Sequence, residues 1–354
     1  MLPAIKINLS KIEHNTKAIV STFNALGIQV VGVVKACLGN LDVARSMVAG
    51  GVSLIADSRL QNLERLSALN VPLMMLRQPM VEEVLRVVEL TEMCLVSELK
   101  GIKMLSNAAG SVGKKYRVIV MVETGDLREG VLPLELLGFM KEASKVPWIE
   151  LAGIGANVAC LQGVPPTSSM LELLVDLAKK LRRRLGIDLP IISGGNSSVW
   201  KLVEASAIPP EINQLRLGEA ILLGQETINL DPIPGTFQDA FVIEAEVIEA
   251  REKPLPKNTI ALLKISDDKH RKRNSIKLRK RVILALGIQD IGRGELKPLD
   301  KGLQILRRSS DHLVVDITSS HLNYKVGDKI SFIPTYEALL AAMTSPFVKK
   351  VLLR

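Results

Sequence analysis

The 354-residue sequence predicts an α/β protein, a TIM (β/α)8 barrel followed by a carboxyl-terminal mostly-β domain. Three observations carry this expectation. Apolar runs of strand length recur between Gln29 and Gly218 with helical stretches between them, and their number, eight, is the number of βα units that closes a barrel. An open doubly wound sheet would carry an early Gly-rich phosphate turn, whereas the first strand here runs into Ala36-Cys-Leu-Gly-Asn40. After about residue 230 the texture changes to strand-like segments separated by Gly and Asp turns.

Taken in order, residues 1–9 contain a short strand, Leu2–Leu9, that could join the β domain. Residues 10–26 read as the first helix, with Ser10 and Glu13 as a capping box and Ile12, Ala18, Ile19, Phe23 and Leu26 as its apolar stripe. The first barrel strand is Gln29-Val-Val-Gly-Val-Val-Lys35, whose β-branched run reads as buried on both faces. The others are Val52–Ala56, Pro72–Leu76, Met93–Val96, Arg117–Glu123, Glu150–Ala156, Pro190–Ser193 and Gln214–Gly218, with amphipathic helices such as Ser169–Leu185 between them. Residues 1–230 are therefore assigned to the barrel, Asp231-Pro-Ile-Pro-Gly235 to a linker and 236–354 to the β domain. Strands are expected there at Phe241–Ala250, Arg281–Gly287, Leu303–Leu306, His312–Thr318 and Lys329–Ile333.

Composition narrows the function. A net charge of +9 invites a nucleic-acid reading, but the basic residues are dispersed and only 3% of residues are aromatic, so no stacking platform exists. The densest run, Lys264–Arg281, reads as an exposed loop or hairpin. No uncharged apolar stretch reaches spanning length, and the amino terminus carries no secretory pattern, so a cytoplasmic protein without membrane contact is expected. Cys37, Cys94 and Cys160 are odd in number and widely spaced, as reduced thiols are, and His14, His270, His312 and His321 have no metal-like partners.

In a barrel of this kind the carboxyl ends of the strands share one mouth, where chemistry resides. The polar residues at those ends are Lys35, Asp57, Arg77, Ser97, Glu123 with Thr124, Asn157, Ser193–Ser198 and Arg216. Ser193-Gly-Gly-Asn-Ser-Ser198 leads into a helix near Val199. Its glycines, its hydroxyls and the helix amino terminus suit a phosphate, and Ser193, Asn196 and Ser197 are candidate ligands, although such turns also make ordinary helix caps. Arg216 is a strand-end arginine among apolar neighbours that could equally pair with Glu219 or Glu123. Arg128, in the glycine-bounded loop Glu123-Thr-Gly-Asp-Leu-Arg-Glu-Gly130, could grip a carboxylate or remain a solvated charge. A lysine on one side of the mouth and a phosphate site on the other suggest pyridoxal 5'-phosphate (PLP), which needs an amine for its aldehyde and an anchor for its phosphate.

Val34-Lys-Ala36, Glu123–Gly130, Gly153-Ile-Gly-Ala-Asn157, Ser193-Gly-Gly-Asn-Ser197 and Leu215-Arg-Leu-Gly218 follow the order and spacing of the alanine racemase family. The chain most resembles the ornithine/lysine racemase branch, with Gly125-Asp-Leu-Arg-Glu-Gly130 as the most specific local match. Further similarity lies at Leu286–Asp290, Ser309–His312 and Met343–Pro346. The resemblance implies a racemase of a basic amino acid, a head-to-tail homodimer with active sites between subunits. It implies that Lys35 carries PLP as a Schiff base and shuttles the Cα proton, that Arg216 meets the pyridine nitrogen and that Arg128 orients the substrate carboxylate. Asn157 would contact the ring, and Ser197 with the backbone around Gly218 would hold the phosphate.

The chain departs from the family pattern where a tyrosine is replaced near Gly39, a ring-stacking histidine is Asn157, and a tyrosine near the carboxyl terminus falls near Pro346. The family's second base, a tyrosine of the partner's β domain, has no counterpart between Val247 and Arg281. Asp311 and His312 are the named replacements, and Asp311 could instead bind a distal substrate ammonium. Rival expectations are an alanine or broad-specificity racemase, a decarboxylase or aldolase on the same scaffold, and a PLP-binding homeostasis protein; the last consists of a barrel alone, which the residues after the linker disfavour.

Overall fold

A computed structural model describes residues 2–159, 163–254 and 278–354. Cys160, His270 and the run from Lys264 to Lys277 lie outside the described residues. The chain divides into two compact units, one from Leu9 to Ala240 and one formed by Phe241–Leu353 with the amino-terminal segment ending at Asn8.

The first unit is the eight-stranded parallel barrel that the repeating apolar runs predict. After β1 (Ala4–Asn8), which belongs to the other unit, the staves are β2 (Gln29–Val33), β3 (Leu54–Asp57), β4 (Leu73–Met75), β5 (Met93–Val96), β6 (Tyr116–Val122), β7 (Ile149–Ala156), β8 (Ile191–Ser193) and β9 (Gln214–Leu217). The barrel closes where β9 pairs with β2, Val31 opposite Arg216. Strand residues alternate between barrel interior and helix layer. Val31, Val33, Leu54, Ala56, Met74, Met93, Leu95, Ile119 and Met121 fill the interior. Gly153 is required where β7 meets β8, because a Cβ there would lie 2.0 Å from the Ile191 carbonyl oxygen.

The first helix, Leu9–Asn24, buries Ile12, Ile19, Val20 and Phe23, close to the predicted stripe. It begins directly after β1, which puts Ser10 inside the first turn rather than at a cap. Asn15 on the same face is fully buried: its amide donates to the carbonyls of Ile221 (3.1 Å) and Phe237 (2.8 Å) and accepts from the Phe237 N–H (2.7 Å). Asn15 thus fastens Phe237, just past the Asp231–Gly235 segment, and the segment itself is held by Ile233 N–H donating to the Gly224 carbonyl at 2.8 Å and by the Gly235 carbonyl 2.9 Å from His14 Nε2. The linker expected there is therefore packed, and the barrel unit continues to Ala240.

The second unit is an antiparallel sheet built on β10 (Phe241–Pro254). Around it lie β11 (Leu278–Ala285), β12 (Leu296–Pro298), β13 (Gln304–Arg308), β14 (His312–Asp316), β15 (Lys329–Pro334) and β16 (Lys349–Leu353). β1 pairs antiparallel with β10, Ile5 opposite Ile243, and parallel with β16. Phe241, Ile243, Ala245 and Val247 alternate inward along β10, while Lys6 reaches Glu244 at 2.6 Å on its other face. β12, β16 and the helix Tyr336–Thr344 were not foreseen from the sequence. Among the described residues, no helix is long and apolar enough to cross a membrane.

Candidate active site at the barrel mouth

Alternation along the strands decides which strand-end residues face the mouth. Arg216 shares the inward face of its register partner Val31, whereas Lys35 and Glu123 lie just past the last strand residues, Val33 and Val122, at the mouth end of their strands. The interior position of Ala56 turns Asp57 to the helix layer, and that of Leu76 does the same for Arg77. The sequence placed both at the mouth, and both are engaged elsewhere. Asp57 Oδ1 accepts from Arg59 N–H (2.9 Å) and Asn62 Nδ2 (3.0 Å). Arg77 donates to the carbonyls of Ser58 (2.7 Å) and Gln78 (3.0 Å) and to Glu83 (3.0 Å).

Lys35 opens a 3₁₀ turn, Lys35–Cys37, and its side chain is exposed. The Val34 carbonyl anchors the turn, accepting from Cys37 N–H (3.1 Å), Gly39 N–H (3.3 Å) and the Cys37 thiol (3.1 Å). Burial, and then the neighbouring Asp57 carboxyl, push the Cys37 thiol far up, so it is a packing group and not a nucleophile. Burial also raises Asp57 above the ordinary carboxylate value, against the pull of Asn62, two backbone N–H groups and the Lys35 charge.

On the adjoining strand β9, Arg216 is 4% exposed. Its guanidinium donates to the Ala156 carbonyl (2.6 Å), to Asn157 Oδ1 (3.1 Å) and to the Ser193 hydroxyl, which in turn donates to Gln214 Oε1 (2.9 Å). These three acceptors are neutral. Ser193 thus serves the arginine. Asn157 Nδ2 donates to Glu129 Oε1 (2.6 Å), and Glu129 receives both Nε and Nη2 of Arg128, the latter at 2.7 Å.

The loop after β8 begins with Gly194 and Gly195. At φ +128° Gly195 lies where L side chains rarely go, and a Cβ there would stand 2.8 Å from the Val158 side chain. Asn196 ties this loop to the one after β7, its Nδ2 donating to the Val158 carbonyl (2.8 Å) and its Oδ1 capping Ser198 N–H (2.9 Å). Ser197 Oγ accepts from Ala220 N–H at 3.2 Å, which brings the loop to Gly218 at the start of the helix Glu219–Leu223. Two short helical starts and one hydroxyl therefore converge, an arrangement that can receive an anion. Asp311 lies in the other unit, in the turn between β13 and β14, where it accepts from Gln289 Nε2 (2.5 Å) and Ser310 Oγ (2.7 Å), and His312 opens β14.

Two participants lie outside the sequence expectations: Gln214, whose polar side chain at the start of an otherwise apolar strand end is a visible signal, and Glu129, the acidic member of Glu123–Gly130.

Residues 7–225 match the family model described as alanine racemase, N-terminal domain. The chain is 40% identical to the ornithine racemase of Acetoanaerobium sticklandii over 100% of both chains. It is 38% identical to the lysine racemase of Thermotoga maritima over 99% of this chain and 98% of that one. Among solved structures, an alanine racemase from Streptomyces lavendulae superposes with a TM-score of 0.75 at 18% identity, over 100% of this chain and 98% of that one. A D-threonine aldolase from Filomicrobium marinum superposes with a TM-score of 0.76 at 15% identity, over 97% and 90%. At such identities the structures share a fold, and that fold hosts more than one chemistry.

Proposed function

Because the chain belongs to the alanine racemase family, we propose that it is a PLP-dependent racemase of a basic amino acid, ornithine or lysine, acting in the cytoplasm as a homodimer. One observation carries the substrate class: the likeness to racemases named for ornithine and for lysine spans the whole chain, β domain included.

The residues of the mouth fit the cofactor. Lys35 offers an exposed amine, Arg216 a buried cation held in place by neutral acceptors, and the Gly195–Ser197 turn an anion seat closed by Gly218. When bound, PLP supplies the electron sink that makes the Cα proton of an amino acid acidic. Lys35 anchors the cofactor and holds or moves that proton on one face. Arg216, charged at every accessible pH, faces the ring nitrogen without yielding a proton, which favours proton return over side reactions. Arg128 orients the substrate carboxylate with its planar fork, and Asn157 contacts the ring. Ser197 and the Gly218 backbone take the phosphate, with Asn196 bracing the loop and Ser193 bracing Arg216. A racemase needs a proton donor on each face of Cα. For the second face we assign Asp311 of the partner subunit.

Single enantiomers of ornithine, lysine and alanine, incubated with the holoenzyme in heavy water, test the reading. Inversion with deuterium at Cα, fastest for ornithine or lysine, is the expected result. Deuterium uptake with retained configuration would refute two-face proton transfer. Lys35→Ala should abolish both the exchange and the cofactor's near-visible absorption band.

A further inference from the structure

Between the arginine assigned to the substrate carboxylate and the arginine assigned to the ring nitrogen stands the carboxylate of Glu129. It takes Arg128 through Nε and Nη2, and through Oε1 it also accepts the Asn157 amide N–H at 2.6 Å. The other end of that amide, Oδ1, accepts from Arg216 Nη2 at 3.1 Å. The side chains of Arg128 and Glu129 are 36% and 29% exposed, and an ion pair of that exposure, standing alone, would contribute little. The third bond changes its meaning, because Asn157 is only 7% exposed and its amide lies between a cation and an anion. One orientation of the amide satisfies both neighbours; the flipped one sets an NH₂ against a guanidinium and an oxygen against a carboxylate.

We propose that Glu129 is a positioning residue for the racemisation, fixing the Arg128 fork directly and the Arg216 guanidinium through the Asn157 amide. The inference rests on the racemase reading above. It explains why the Arg128 loop and the end of β7 are wired together, and it gives the acidic member of Gly125-Asp-Leu-Arg-Glu-Gly130 a task. A bidentate pair holds the arginine in one plane, so the substrate carboxylate meets an arginine already oriented. Glu129 also sets a negative charge one amide away from the Arg216 cation, which tempers the positive field at the ring nitrogen.

The test uses PLP-loaded Glu129→Gln with two readouts. Racemisation kinetics separate KM from kcat, and titration with 5-aminopentanoate, which is ornithine without its α-amine, reads carboxylate binding with no reaction. KM and the analogue's dissociation constant should each rise about tenfold and kcat should fall about tenfold, with the thermal midpoint unchanged. Glu129→Asp, which keeps the charge on a shorter arm, should fall between the two and serves if the glutamine variant folds poorly. Asn157→Ala should lower kcat, and combining it with Glu129→Gln should lower kcat no further. Values within twofold of wild type for both KM and the analogue, or kcat losses that multiply in the double variant, would overturn the proposal. An active wild type with an indifferent glutamine variant removes Glu129 alone. A wild type that neither racemises nor binds the analogue removes the racemase reading and Glu129 with it.

Discussion

Asp57 has no solvent exposure, and its Oδ2 is buried without a hydrogen-bond partner among the described residues. Burial raises the carboxyl above its ordinary value, so the folded protein binds a proton there more readily than the unfolded chain. The sign follows: its favourable contribution is complete at acid pH, below the unfolded value, and is lost as pH rises through the raised folded value. Asp57→Asn keeps the acceptor for Arg59 N–H and Asn62 and removes the buried charge. At pH 8 it should stabilise the protein by about 1 kcal/mol, a gain that disappears near pH 4, as thermal melts at the two pH values would reveal. Equal melting shifts at both pH values would mean that Asp57 is not charged in the folded protein at pH 8. The position is legible as a polar strand end, and counting alternate residues from Ala56 turns it to the helix layer, where it serves the chain around Arg59 and Asn62 instead of substrate.

At the scale of elements, the barrel strands were legible because each is a local run of apolar residues, and the same runs set the parity that aims Arg216 inward. The loop after β8 was legible in composition, and the structure adds how its residues divide the work. Asn196 and Ser193 are spent on Val158 and Arg216, while Ser197 reaches Ala220. Gly195 opposes a Cβ twice over, through its φ of +128° and a 2.8 Å approach to Val158, while at Gly194 a Cβ would stand 2.6 Å from the Ile212 side chain. Gly195→Ala should cost about 1–3 kcal/mol in stability and weaken PLP binding at least roughly tenfold, measured by absorbance titration of cofactor-free protein. Unchanged affinity would detach this loop from the phosphate. The Asp231–Gly235 segment misled for the opposite reason. Its prolines and glycine announce a linker, whereas the contacts that pack it come from Gly224 and from His14 and Asn15 on the first helix, the last through Phe237, which no local pattern reveals.

At the scale of the whole molecule, the assignment of Asp311 to the partner's active site has a quantitative consequence. Lys35→Ala and Asp311→Asn should each be inactive alone. Mixed dimers would carry one site with both groups intact and one with neither, so reassorted subunits should recover about a quarter of wild-type activity. No recovery, with mixed dimers verified by mass, would place Asp311 outside the shared site.

The sequence by itself determined the barrel, the lysine at the end of its first strand, the Gly/Ser turn after its seventh and the presence of a second, β-rich part. All of these follow from periodicity and turn chemistry within a few residues. Tertiary structure alone decided that β1 pairs with β10 and β16, that Arg216 rests on Ser193, Ala156 and Asn157, and that Glu129 joins Arg128 to that arginine. The physical reason is the same in each case. These are bonds between residues brought together from separate strands and loops, and their geometry exists only once each unit's sheet has formed, the barrel closed in one and β1 added in the other, and the register has chosen which side chains share a face.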